Sequence, residues 1–138
     1  MNKICTTIDQ CKKLLDLGID INTADLTVTN YPLQDGSRFD FICCKLPNDT
    51  FPSITDGKSE KIPAWSLSAL EKLMPFQIIE NNERFGFKQW KGYNSQGETY
   101  CFEYVSNIGT ILYETYHWNI PLDAAFDMVV WLKEKGKI

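Results

Sequence analysis

From Phe76 to Trp118 the pattern of the chain changes to a period of two, and this block constrains the fold more than any other part of the chain. A period of two places alternate side chains on opposite faces of an extended backbone. Runs rich in aromatic and β-branched residues cover Arg84 to Tyr93, Glu98 to Val105 and Thr110 to Trp118. Asn94-Ser95-Gln96-Gly97 and Ser106-Asn107-Ile108-Gly109 separate them as turns, so the spacing predicts an antiparallel meander. A further strand is expected at Gln77 to Glu80, joined through Asn81-Asn82.

A sheet of this kind needs a cover, and the C-terminal segment supplies one. Leu122, Ala125, Phe126, Val129 and Leu132 lie on one face of a helix that opens near Pro121 and stops before Gly136. Asp123 and Asp127 come early in it, and Lys133 and Lys135 late, as the helix macrodipole favours. Two shorter helices are expected upstream. Thr7 and Gln10 have capping-box spacing before Ile8, Cys11, Leu14 and Leu15, with Gly18 placed to end that helix. Ser66 caps the second, which carries Leu67, Leu70, Leu73 and Met74 and ends at Pro75.

Between these helices Pro32, Gly36, Pro47, Pro52 and Gly57 leave room only for short strands, at Leu26 to Thr29 and Phe39 to Cys44. Ser53 to Lys61 is polar and is expected to be a loop. The 138 residues suit one domain spanning 1–138. The expected fold is α+β: an antiparallel sheet of four or five strands, the C-terminal helix packed on it, and two shorter flanking helices.

Charge narrows the partners. Asp and Glu number 18 against 14 Lys and Arg, only Arg38 and Arg84 are arginines, and no basic run occurs. A nucleic-acid partner is disfavoured, because phosphate binding needs clustered cations. No apolar stretch is long enough to span a bilayer, and the first residues lack a secretory pattern, so a cytoplasmic protein is expected. The five cysteines, Cys5, Cys11, Cys43, Cys44 and Cys101, fit reduced thiols there. The sequon at Asn48-Asp49-Thr50 then has no use.

Motifs that would carry chemistry fail on spacing. Asp56-Gly57-Lys58-Ser59 ends like a phosphate-binding loop, but Pro52 stands where its first glycine belongs. Asp20, Asn22 and Asp25 suggest a calcium loop, yet Asp25 replaces the turn glycine and Tyr31 the bidentate glutamate. No two cysteines have the spacing of a structural zinc site, so no metal or other cofactor is assigned. His117, the only histidine, is the one residue of its type available to activate Cys43, Cys44 or Cys101, and alternation does not force it onto any of them. Glu103 and Glu114 fall on neighbouring strands, but paired-carboxylate chemistry needs a cleft between them. No catalytic residue is assigned.

The aromatic residues remain. Eleven of the 18 lie between Phe76 and Trp118, more than one face of a sheet accommodates. Rings left outside the helix-covered core would form a binding face, and Trp90, Tyr93, Tyr113 and Trp118 are its candidate residues.

Three segments carry a resemblance: Leu14-Leu15-Asp16-Leu17-Gly18-Ile19-Asp20-Ile21-Asn22-Thr23-Ala24-Asp25-Leu26, Ile62-Pro63-Ala64-Trp65-Ser66-Leu67-Ser68-Ala69-Leu70 and Pro121-Leu122-Asp123-Ala124-Ala125-Phe126. With these the chain resembles a family of small proteins encoded in prophages and conjugative elements of gut Bacteroidota. The resemblance spans most of the chain, leaving the segment from Tyr31 to Lys61 and the sheet variable. It implies a mobile-element setting and carries over no catalytic residue. The expected function is a non-enzymatic accessory protein that binds a protein partner through the aromatic sheet face or the 53–61 loop. A small cysteine-dependent enzyme and a small-ligand or carbohydrate-binding module are the alternatives.

Overall fold

Capping decides where the helices begin and end. In the computed structural model, which describes residues 3–55, 59–116 and 118–138, helix α1 spans Ile8–Asp16 behind a complete Thr7/Gln10 capping box. Its end is fixed by Gly18 at φ 85°. That left-handed residue lets the Gly18 amide donate to the Leu15 carbonyl and the Ile19 amide to the Leu14 carbonyl, both at 3.0 Å. Helix α2 covers Leu67–Lys72, and the Ser66 hydroxyl accepts from the Ala69 amide. Helix α3, Pro121–Glu134, closes as α1 does: Gly136 has φ 69°, and the Lys137 amide donates to the Leu132 carbonyl at 2.8 Å.

The chain divides into two compact units, one of Cys5–Ala69 and one of Leu70–Ile138 with Lys3 and Ile4. The first holds a four-stranded antiparallel sheet in the order β2-β1-β4-β3, from β1 (Leu26–Pro32), β2 (Arg38–Cys44), β3 (Ser53–Thr55) and β4 (Ser59–Ala64). Val28 and Ile62 face each other across β1 and β4 and are buried together with Cys11, Leu14, Ala64 and Trp65. The indole of Trp65 donates to the Thr23 hydroxyl at 2.9 Å, which satisfies its one polar atom inside the core.

The second unit holds the meander, in the order β5-β6-β7-β8: Gln77–Glu80, Glu83–Asn94, Gly97–Ser106 and Ile111–Glu114. Asn81 and Asn82, at φ 52° and 65°, make the two-residue turn between β5 and β6. Two left-handed residues in succession match the twist of paired strands. Helix α3 packs on β7, burying Leu122, Ala125, Met128, Val129 and Leu132. Lys3 reaches the first turn of α3, its ammonium 2.9 Å from a carboxylate oxygen of Asp123.

The architecture is α+β, with the expected meander and C-terminal helix. Three details differ from the sequence reading. The 53–61 stretch is not a loop: Ser53 pairs with Lys61 and Thr55 with Ser59, and Ser59 is buried. Polarity misled here, because hydroxyls and long side chains suit a strand that has one wet face. The apex, residues 56–58, lies outside the described residues. The strands before residue 65 form their own sheet. Strand β8 stops at Glu114, and Trp118 returns only as an isolated bridge to Tyr100. Among the described residues no helix is long and apolar enough to cross a membrane.

Candidate functional site

Register sorts the aromatic residues of the meander. Phe87 lies opposite Tyr104, and Tyr104 opposite Tyr113, so these rings share one face. Phe102 joins them two residues before Tyr104. Phe102 and Tyr104 are fully buried, Phe87 stacks on Phe102 with centroids 6.1 Å apart, and the Tyr104 hydroxyl donates to the Pro75 carbonyl at 2.7 Å. Tyr113 stacks on Trp131 of α3 at 4.6 Å, which shows that α3 covers this face.

Two of the four proposed binding residues are held in this packing. Tyr113 donates to one oxygen of Asp127 at 2.5 Å, and the Trp118 indole to the other at 2.6 Å. Burial, then the hydrogen bond and charge of Asp127, push the Tyr113 phenol far above its ordinary range. Both side chains fix the strand-to-helix corner. Trp90 sits on the opposite face, half-buried, with its ring centroid 5.4 Å from that of Tyr116. A β-carbon built on Gly92 would come within 2.8 Å of that indole and 3.2 Å of the Thr99 hydroxyl, so the ring lies across Gly92 and over Thr99. Only Tyr93, 75% exposed, stands out in solvent. The structure therefore does not gather Trp90, Tyr93, Tyr113 and Trp118 into one open face.

The thiols divide by burial. Cys11 is pushed up to about 11, chiefly by burial and against the hydrogen bond from Thr6; Cys5 is raised as well. A thiol held that high is protonated at neutral pH, the opposite of an activated nucleophile. Cys43 and Cys44 are exposed, and Cys43 Sγ lies 2.9 Å from the Thr27 hydroxyl. His117, the proposed activator, lies outside the described residues. Cys101 shares the Trp90 face with Glu103, two residues along β7, and with Glu114, directly opposite Glu103 on β8. Burial first, then the charges of Glu103 and Glu114, push its thiol up to about 11.

The surface that sequence reasoning missed is strand β2. It lies at the edge of its sheet, paired among the described residues only with β1, and all seven of its residues are exposed. Phe39 and Phe41, 53% and 51% exposed, project to one side with Tyr31, which lies opposite Phe39. Ile42 is exposed on the other side, and Leu33 and Leu46 are exposed beyond the strand ends. The available signal was Phe39-Asp40-Phe41 itself: two large rings at period two in a segment with few apolar neighbours to bury them. Comparison with family models, with curated proteins and with solved structures gives no match to this chain.

Proposed function

We propose that the protein is a non-enzymatic interaction module that takes up an extended polypeptide segment along strand β2. The observation that carries this reading is an edge strand with no second neighbour among the described residues and with Phe39, Phe41 and Ile42 in solvent. Such an edge offers a row of backbone donors and acceptors for strand addition, and side chains at alternate positions supply selectivity. Proteins ordinarily protect an edge with lysines, prolines or a covering element. Here Arg38 and Asp40 are the only charges within the strand. Helix α3 covers the Phe102, Tyr104 and Tyr113 face of the other sheet, which supports choosing β2 over that face. The resemblance to proteins of prophages and conjugative elements agrees with an accessory, partner-binding role.

Selection from a displayed peptide library tests it. Enriched peptides are expected to be extended and apolar, and to slow amide exchange across residues 38–44. Phe41→Ala is expected to weaken them by about 2 kcal/mol, roughly thirtyfold. Peptides that bind a Phe39→Asp/Phe41→Asp double variant as tightly as the wild type would remove the edge from consideration.

A further inference from the structure

The Trp90 face of the second sheet holds a cluster that the proposed docking edge, in the other unit, does not use. The sulfur of Cys101 and one carboxylate oxygen each of Glu103 and Glu114 all lie within 4.8 Å of one another. Register puts them there: Cys101 and Glu103 alternate onto one face of β7, and Glu114 stands directly across on β8.

Glu103 sets this group apart from an ordinary acidic patch. It is only 5% exposed, and among the described residues its carboxylate has no hydrogen-bond or ion-pair partner. Burying an acidic side chain to this degree is costly unless a cation or donors compensate it. Lys88, on β6, stands opposite Glu103, and its charge is felt at Cys101, yet it forms no ion pair with Glu103. The buried side chain therefore points toward a second carboxylate and a thiol, with no hydrogen bond or ion pair of its own among the described residues.

We propose that Cys101, Glu103 and Glu114 bind a divalent transition-metal ion of the zinc class, through one thiolate sulfur and two carboxylate oxygens. One soft and two hard donors suit zinc, cobalt or a similar borderline ion. Calcium and magnesium require all-oxygen shells of six or more ligands, which a thiol cannot join. Three protein ligands leave a tetrahedral position for solvent, and Glu114, the exposed member, marks the side from which the ion enters. On binding, the Cys101 S–H bond gives way to a sulfur–metal bond and its proton passes to solvent. Cysteine spacing alone had spoken against metal, because it searches for two thiols near each other in sequence, whereas this donor set is assembled across two strands.

Cobalt(II) titration of the full chain reads the site directly, in a Cys43→Ser/Cys44→Ser background that removes the exposed thiols. One equivalent is expected to bind with a near-ultraviolet sulfur-to-cobalt charge-transfer band, and zinc should bleach it. Cys101→Ser should abolish the band. Glu114→Gln, at an exposed position where folding is not at stake, should weaken cobalt binding at least tenfold with unchanged circular dichroism. The proposal is overturned by no band in the background protein, by a band that survives Cys101→Ser, or by Glu114→Gln affinity within twofold of the parent. Should Cys101→Ser fail to fold, the Glu114→Gln affinity decides.

Discussion

Cys11 shows how a single buried thiol ties stability to pH. It is fully buried beneath Thr6, whose hydroxyl lies 3.0 Å from its sulfur and also accepts from the Trp65 amide. The folded pKa of about 11 stands above the ordinary thiol value, so between about pH 9 and pH 11 the folded state holds a proton that the unfolded state has released. Stability is thus full below about pH 9 and falls as pH rises toward 11. Cys101 and the raised phenols of Tyr104 and Tyr113 act in the same direction. Urea denaturation from pH 7 to 11 should show this decline, and Cys11→Ala should make it shallower; an unchanged slope would mean that Cys11 does not contribute. Nothing in the sequence separates Cys11 from Cys43. Both are cysteines in amphipathic segments, and only the partners of each face reveal that one is sealed and the other wet.

At the scale of elements, the helices were legible because their determinants are local. The capping box at Thr7, the glycines after α1 and α3, and the Ser66 cap each act within a few residues, and the structure contains every one. The meander was legible for the same reason, its turns being written in Asn-Asn and Gly-containing tetrads. What escaped was pairing. Ser53–Thr55 becomes a strand only because β4 is beside it, and β2 is an edge because among the described residues no further strand pairs with it. The candidate site shares this fate: Tyr113 and Trp118 look like free aromatics until Asp127, on another element, is brought between them. Strand β6 offers a test of such a cross-element fit. Gly92→Ala should force the Trp90 indole off its seat, destabilise the sheet by about 1–2 kcal/mol, and shift Trp90 fluorescence as the Tyr116 contact loosens. Unperturbed emission and stability would mean that the ring rearranges without cost.

For the molecule as a whole, Lys3 belongs to the unit that otherwise begins at Leu70, so that unit is discontinuous in sequence. The ammonium is about one-third exposed and its Asp123 partner is mostly shielded. Lys3→Met is therefore expected to lower stability by about 1 kcal/mol, more than an exposed ion pair would, with the m-value unchanged in denaturant titration. A difference below about 0.3 kcal/mol would class the pair with ordinary surface ones. The pair also orders events during synthesis. A ribosome adds Asp123 120 residues after Lys3, and at about 5–20 residues per second that gap lasts roughly 6 to 24 s. The Cys5–Ala69 unit gains its last sheet strand about halfway through that interval, whereas the lysine waits to its end for a carboxylate not yet translated. Closure of the second unit consequently waits for α3, and a nascent chain paused before that helix would carry an uncovered aromatic sheet face.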